Sequence, residues 1–216
     1  MTGRAEAKRR RRLEPEAITA AAIRIADTEG LDAVSIRRIA AELDARPMSL
    51  YSHFSNKHAV LSAMTNEAVA DMLVEQPLPR DWRSAVTVIA TRMHLAYAAR
   101  PWLIFVFARR PSPGPNAIKL AKQMARAVET LPLPQADVWE VQGIVNDYVL
   151  GYSYRTVATP DPDEMDAAIS PGDVAESPEL ASLPDNLRSR AHLKRFDLGL
   201  QTIFDGIERR FLGVED

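Results

Sequence analysis

The sequence predicts an all-α protein, and three observations support that class. Apolar residues recur every three or four positions along most of the 216 residues, which is the period of an amphipathic helix. Proline and glycine stand where these segments begin and end, as at Pro15 and Gly30. The segment 102–108, WLIFVFA, has strand propensity but no second strand to pair with, so we predict a buried helix there.

Composition and motifs exclude several classes of protein. The chain has no cysteine, which excludes disulfides, thiol catalysis and thiolate metal sites. We find no apolar run near eighteen residues and no signal-peptide pattern, so we expect no membrane association and a cytoplasmic location. No glycine-rich phosphate loop, HExxH motif or His pair at i and i+4 is present. The sequence therefore predicts no enzyme, metal site or cofactor.

Positive charge is concentrated at the front of the chain. Residues 1–60 hold 11 Lys and Arg against 8 Asp and Glu, whereas the remainder holds 16 against 21. Five of the basic residues form the run 8–12. Such a run fits either a solvated tail or a flexible arm that supplements DNA binding through phosphate or minor-groove contacts.

Residues 35–54 have the pattern of two short helices separated by a turn. The apolar side chains of this stretch are Ile36, Ile39, Ala40 and Leu43, then Leu50 and Phe54. Ser35 is a good N-cap, and Pro47 suits the first turn of the second helix. The second helix turns Met48, Ser49, Ser52 and His53 outward, without an acidic residue. An exposed helical face of this kind suits the edges of DNA bases.

The neighbouring helices extend the pattern on both sides. We predict a first helix from Pro15 to about Glu29, with Ile18, Ala22 and Ile25 buried, and a fourth from Ser55 or Asn56 to about Gln76.

Residues 13–75 resemble the tetracycline-repressor-like (TetR) family of bacterial transcriptional regulators. The stretch AAIRIADTEGLDAVSIRRIAAELDARPMSLYSHFSNKHAVLSAM carries the resemblance through its order of apolar positions, its LYSHF segment and Lys57. Asp44 departs from the glycine usual in the family's turn, but aspartate tolerates a left-handed backbone better than most residues. The resemblance implies a three-helix, helix-turn-helix DNA-binding domain at 13–60, preceded by a basic arm at 1–12.

The resemblance also implies which residues meet DNA. The positions that typically contact phosphates or bases, or that open the recognition helix, are Ser35, Arg37, Arg46, Pro47, Met48, Ser49, Tyr51, Ser52, His53 and Lys57. Arg37 and Lys57 suit phosphates, whereas Arg46 suits a bidentate contact to guanine or is a solvated surface residue. Tyr51 fits either core packing or a phosphate contact.

Residues 61–216 are predicted to form a larger helical domain for ligand binding and dimerisation. We expect helices over 81–98, 102–108, 115–131, 134–157 and 184–212. The segment 159–185 contains five prolines, eight acidic residues and no Lys or Arg, which predicts a loop.

The last predicted helix carries a long apolar stripe. It consists of Leu193, Phe196, Leu200, Ile203, Phe204, Ile207 and Phe211. Its length favours a partner chain, although a core within one chain is the alternative. The family pairs its last two long helices across a two-fold axis, which implies a homodimer here. Two recognition helices about 34–36 Å apart would read two half-sites of a palindromic operator.

The resemblance further implies a pocket for a small-molecule effector in the second domain. The candidate pocket residues combine aromatic surface with a few polar groups: His94, Tyr97, Trp102, Phe105, Trp139, Asn146 and Tyr148. Each is also consistent with ordinary core packing. Tetracycline-binding members place a metal-binding His where this chain has Val106, so metal–tetracycline is not the expected ligand.

These patterns favour a ligand-responsive, sequence-specific regulator of bacterial transcription. We expect a homodimeric repressor, associated with the nucleoid, that an unknown small molecule releases from double-stranded DNA. A DNA-binding regulator controlled by a protein partner and a small helical enzyme are the alternatives.

Overall fold

The structure, a computed structural model, describes residues 13–108, 114–158 and 192–213. Its α-helices are α1 Pro15–Glu29, α2 Ile36–Glu42, α3 Pro47–Leu50, α4 Lys57–Val69, α5 Trp82–Ala99, α6 Trp102–Ala108, α7 Pro115–Ala127, α8 Gln135–Ala158 and α9 His192–Ile207. Short 3-10 helices at Leu31–Ala33 and Ala70–Met72 and a π-helical turn at Glu208–Leu212 join them. No strand occurs in these ranges, which confirms the all-α class. The predicted arm at 1–12 and loop at 159–185 lie outside them.

The chain divides into two compact units. The front unit is Met1–Glu67 and the rear unit is Ala68–Asp216. The division falls within α4, and the predicted division after residue 60 lies in the first turn of the same helix. None of the described helices combines the length and the apolar character that a membrane crossing needs.

The front unit has a small core formed by its short helices. Ile18 and Ile25 of α1 are buried against the rest of the unit, as are Ile39 of α2 and Leu50 of α3. Val34, between the first two helices, is also fully buried. The predicted inner stripe of α1 is therefore confirmed.

Local chemistry fixes the helix ends in this unit as the sequence predicts. The Ser35 hydroxyl oxygen accepts a hydrogen bond from the Arg38 backbone N–H at 3.1 Å and caps α2. Asn56 Oδ1 accepts from the Ala59 N–H at 3.0 Å at the start of α4. Asp44 has a φ of 50°, which is the left-handed turn conformation expected of it.

The rear unit is built around α5 and α8. These two helices pack closely, and α6, α7 and α9 pack against one or both of them. The α6 segment is the predicted buried helix, since Trp102, Leu103 and Ile104 are almost inaccessible to solvent.

Two helices end earlier than the sequence predicts. Helix α4 ends at Val69 rather than near Gln76: the 3-10 turn Ala70–Met72 follows it, and Leu73 is extended. The backbone of Val74 then bonds to a side chain, since its N–H donates to Gln123 Oε1 at 3.1 Å and its carbonyl accepts from Gln123 Nε2 at 2.6 Å. Helix α7 ends at Ala127 rather than at Leu131, and Val128 already has a non-helical backbone. Pro132 disfavours helical backbone only in Leu131, the residue preceding it.

The apolar stripe of the last helix belongs to the chain's own core. Phe196, Leu200 and Phe204 are fully buried within the rear unit, and the Phe204 ring meets Trp82 of α5 at 4.9 Å. The partner-facing interpretation therefore fails for these three residues, because a period shows that a face is apolar but not which neighbour covers it. Ile203 and Phe211 of the same stripe are only half-buried. The side chain of Leu193 lies outside the described residues.

Candidate nucleic-acid interface and effector site

The second helix of the helix-turn-helix is short and firmly anchored. Arg46, in extended conformation, precedes α3, and Pro47 occupies its first turn. The helical path continues beyond Leu50, since the Phe54 N–H donates to the Leu50 carbonyl at 3.0 Å. Leu50 and Phe54 are buried, so two apolar side chains hold the segment while its other residues face outward.

All but one of the predicted DNA-contacting residues are exposed on the front unit. The exposed ones are Arg37, Arg46, Pro47, Met48, Ser49, Tyr51, Ser52, His53 and Lys57. Ser35 is half-buried at the start of α2. Met48 is 76% exposed, an unusual position for a large apolar side chain, and Tyr51 is 48% exposed. We call the nine exposed residues, together with Ser35, the recognition surface.

Hydrogen bonds fix the orientation of the serines on the recognition surface. The Ser49 hydroxyl donates to the Arg46 carbonyl at 2.6 Å, and the Ser52 hydroxyl donates to the Ser49 carbonyl at 2.8 Å. Each oxygen then presents lone pairs outward, where base amino groups can donate.

The charge on this surface has one sign. Residues 45–58 contain no Asp or Glu, and Arg46 and Lys57 lie on either side of α3. A cationic surface without carboxylates suits a polyanion such as DNA, because its positive charges can neutralise phosphates. Phosphate contacts position a protein on DNA, whereas base contacts determine its sequence preference.

Arg38 is a positioning residue that sequence reasoning missed. Its guanidinium donates to Glu29 of α1 at 2.5 Å and to Glu42 of α2 at 3.0 Å, and so ties these helices together. The hydrogen bond from Arg38 lowers the pKa of Glu29. The spacing of four residues between Arg38 and Glu42 was the available signal.

A cluster of aromatic and polar side chains joins α5, α8 and α9 in the rear unit. The aromatic cluster consists of His94, Tyr148, Tyr152, Ser153 and Phe196. His94 Nδ1 lies 2.9 Å from the Ser153 hydroxyl, and the His94 ring stacks on Phe196 with centroids 4.9 Å apart. Tyr152 meets both rings edge-on.

Tyr148 closes this cluster against the last helix. Its ring stacks over Phe196 at 5.6 Å, and its hydroxyl donates to the Phe196 carbonyl at 2.9 Å. Burial raises the pKa of Tyr148 to about 12, so the hydroxyl stays protonated and remains a donor at neutral pH.

The structure brings only part of the predicted pocket together. His94 and Tyr148 lie in the aromatic cluster, and Tyr97 and Trp102 are buried elsewhere in the rear unit. Phe105, Trp139 and Asn146 are exposed, whereas the prediction assumed that they face the interior. Tyr152, Ser153 and Phe196 were missed as site residues, although Tyr152 lies one turn after Tyr148. In the described ranges, no three His, Asp or Glu side chains converge to hold a metal ion.

Family models match both units of the chain. The model described as "Bacterial regulatory proteins, tetR family" matches residues 18–64. The model described as "Tetracyclin repressor-like, C-terminal domain" matches residues 76–211. The second match alone spans more than half of the chain, and the two together include the recognition surface and the aromatic cluster.

Individual proteins agree with these matches. The HTH-type transcriptional repressor DrrR1 of Streptomyces coeruleorubidus is 29% identical over 211 residues, covering 88% of this chain and 76% of the relative. ActR of Streptomyces coelicolor, solved in complex with actinorhodin, has a TM-score of 0.79 at 22% identity, with 92% of this chain and 97% of ActR covered.

A DNA complex has the same fold. Mycobacterium smegmatis BioQ with its double-stranded operator has a TM-score of 0.63 at 24% identity, with 90% of this chain and 98% of BioQ covered. At these identities the two solved structures establish the fold alone. With the family matches and the recognition surface, the conclusion is that this chain belongs to the TetR family of DNA-binding, ligand-responsive bacterial transcriptional regulators.

Proposed function

We propose that this regulator is a homodimeric repressor that binds a palindromic operator and leaves it when a small molecule enters the rear unit. The observation that carries the DNA-binding half is the recognition surface, an exposed and acid-free helix face anchored from behind by Leu50 and Phe54. It acts in the bacterial cytoplasm, at the nucleoid, where its operator lies.

A dimer is favoured by the small size of α3. A helix of four residues and its flanking turn reaches few base pairs, so one copy binds specific DNA only slightly better than random DNA. Two copies related by a two-fold axis read two half-sites.

Exposed apolar side chains on α8 and α9 offer a surface for the second copy. Leu198 on α9 is 67% exposed, and Trp139, Ile144 and Tyr154 on α8 are 58%, 42% and 49% exposed. Thr202 and Gly206 continue the line of Leu198 along α9 at intervals of four residues. We assign the dimer interface to these outward faces, in place of the buried stripe of α9.

The aromatic cluster supplies the chemistry for an effector. Stacked rings of Tyr148, Phe196 and His94 suit a flat aromatic molecule, and the His94–Ser153 pair offers polar groups beside them. DrrR1 is named a repressor, and ActR was solved with actinorhodin. The first name supports a repressor, and the second supports regulation by a bound small molecule. Binding releases DNA only if the effector prefers the conformation with low operator affinity.

The proposed operator binding is tested by gel shifts on the intergenic DNA upstream of the protein's own gene. We expect a preference for this DNA over random DNA, and a logarithm of affinity that falls linearly with the logarithm of salt concentration. Equal affinity for the two DNAs at every salt concentration would contradict the proposal.

Arg46 and Lys57 are expected to contribute differently to this binding. Arg46→Ala should weaken binding to the upstream DNA by about 10- to 100-fold and leave random-DNA binding nearly unchanged, because a guanidinium reads guanine. Lys57→Ala should weaken both and reduce the salt slope by about 1, because an ammonium neutralises a phosphate.

The matched control is Arg92→Ala, which removes an exposed cation from α5 in the rear unit. It should change neither affinity. Equal losses on both DNAs for Arg46→Ala and Lys57→Ala would show that Arg46 reads no base.

Effector response is measured as release of the upstream DNA and as a change in tryptophan fluorescence on addition of small aromatic compounds. Compounds that do both support the proposal. If a broad set of compounds changes neither signal, control by a protein partner becomes the better explanation.

A further inference from the structure

Within the part of the chain that the structure describes, the buried polar side chains are almost all hydrogen-bonded. The described residues of this kind are Thr19, Thr65, His94, Gln142 and Ser153. Thr19 and Thr65 donate to the carbonyls four residues before them, at 2.9 and 2.8 Å. His94 and Ser153 bond to each other. This leaves Gln142, whose Nε2 is buried without a hydrogen-bond partner among the described residues.

Gln142 lies on the inward side of α8. It is 4% exposed, and its helix neighbours on that side, Val141, Val145 and Val149, are fully buried. A buried amide without a partner lowers stability, since it has lost its bonds to water and gained none in the protein. A methionine of similar length would fill the same space without that cost. The glutamine therefore needs a reason other than folding.

We propose that Gln142 is a specificity-determining residue of the effector site, and that its amide bonds to an oxygen of the effector. This inference rests on the proposed effector response of the rear unit. The valines around Gln142 provide apolar contact, and one amide among them selects an apolar molecule that carries a carbonyl or hydroxyl oxygen. Together with the stacked rings of the aromatic cluster in the same unit, this points to an oxygenated aromatic compound rather than a pure hydrocarbon or a highly charged metabolite.

The unpaired amide also allows the effector site to discriminate between similar ligands. A molecule with an oxygen at this point satisfies the Nε2 donor, whereas its hydrocarbon counterpart leaves the donor unpaired. Sites that hydrogen-bond a ligand reject analogues without the bonding group much more strongly than apolar pockets reject a methylene.

The first test uses the full-length protein without added compounds. Gln142→Met should raise the midpoint of thermal unfolding by about 2–4 °C, because it removes an unpaired polar group at nearly constant volume. The matched control is Gln123→Met, which removes an amide that makes two hydrogen bonds to Val74 and should lower the midpoint. A midpoint for Gln142→Met that falls as far as that of the control would overturn the proposal.

The second test uses naphthalene, 2-naphthol and 1,4-naphthoquinone as probes of operator release. With the wild type, we expect at least one oxygenated probe to release the upstream DNA at a concentration about tenfold or more below that of naphthalene. In Gln142→Met this difference should disappear, while affinity for the DNA in the absence of a probe stays unchanged.

The outcomes separate this inference from the function on which it rests. Release of the wild type and of Gln142→Met at the same concentrations would overturn the role of Gln142 and leave the effector response intact. If aromatic compounds release the wild type but no oxygenated one does so at a lower concentration than its hydrocarbon counterpart, the inference fails and the effector response stands. If a broad set of compounds has no effect on the wild type, both fail.

Discussion

Gly199→Ala is expected to lower the free energy of unfolding of the rear unit by about 2–4 kcal/mol, through overpacking and a lost hydrogen bond. A Cβ atom at position 199 would overlap the hydroxyl of Tyr148 and lie 2.5 Å from its Cζ and 2.8 Å from its Cε2. The Tyr148 hydroxyl donates to the Phe196 carbonyl on the same turn of α9, so the ring cannot move without losing that bond. Glycine is needed at 199 because the ring of Tyr148 crosses α9 there.

Chemical denaturation followed by circular dichroism measures the effect, with Gly206→Ala as the matched control. Gly206 lies on the same helix with open space around its Cα within one chain, but on the proposed dimer face. Both alanine variants are therefore compared in the Leu198→Asp background, which is expected to be monomeric, and alanine at 206 should there stabilise the helix by about 0.5–1 kcal/mol. A double-mutant cycle with Tyr148→Ala isolates the contact, because Gly199→Ala should no longer destabilise once the ring is gone. Equal effects of alanine at 199 and 206 would contradict this account.

The same substitution should also disturb the aromatic cluster. Tyr148 stacks on Phe196, and Phe196 stacks on His94, so a displaced Tyr148 ring changes the whole stack. We therefore expect effector-induced release of DNA to weaken in Gly199→Ala at temperatures where the protein is still folded.

Features decided by a few consecutive residues could be predicted from the sequence. The cap at Ser35, the left-handed turn at Asp44 and the cap at Asn56 depend on chemistry within three or four residues. The recognition surface belongs to the same class, because periodicity alone identifies Leu50 and Phe54 as its anchors. The expectation that its exposed residues contact DNA comes from the family resemblance, not from periodicity.

Features decided by distant residues could not be predicted. In the sequence, Gly199 is only a residue that destabilises a helix. The structure gives the reason for it, because the ring of Tyr148, 51 residues earlier, packs against this position. Gln142 resembles a surface residue until α8 is seen to be buried on that side. The predicted pocket mixed buried and exposed residues for the same reason, since an aromatic side chain at helical spacing does not reveal which of several neighbours it will meet.

The apolar stripe of α9 illustrates this limit with a functional consequence. Its period correctly indicated a buried face, but the rear unit itself supplies the cover for Phe196, Leu200 and Phe204. The case for a second copy then moves to the opposite face of α9, where Leu198 is 67% exposed. Exposed apolar side chains on two helices, Leu198 on α9 with Trp139 and Tyr154 on α8, are a better indication of a partner than a stripe that its own chain already covers.

Leu198→Asp is accordingly expected to convert the proposed homodimer into a monomer. A carboxylate placed in an apolar interface has to lose its hydration without gaining a partner, which opposes association. Loss of the dimer leaves one recognition helix per molecule, so affinity for the upstream DNA should fall by about 100-fold or more, while random-DNA binding falls much less. Size-exclusion chromatography with light scattering measures the first effect and gel shifts measure the second.

The matched control is Leu95→Asp on α5, which introduces the same charge at a leucine that is 48% exposed and outside the proposed interface. It should leave both the mass in solution and the operator affinity unchanged. If Leu198→Asp stays dimeric and binds the upstream DNA normally, the outward face of α9 is not the interface. If both variants become monomers, the dimer interface includes α5 as well as α9. The exposed residues of α8 are then replaced one at a time in the same assay. Operator affinity and mass are measured on the same samples. A folded monomer that still binds its operator tightly would show that the α9 face forms the dimer but that specific DNA binding does not require it.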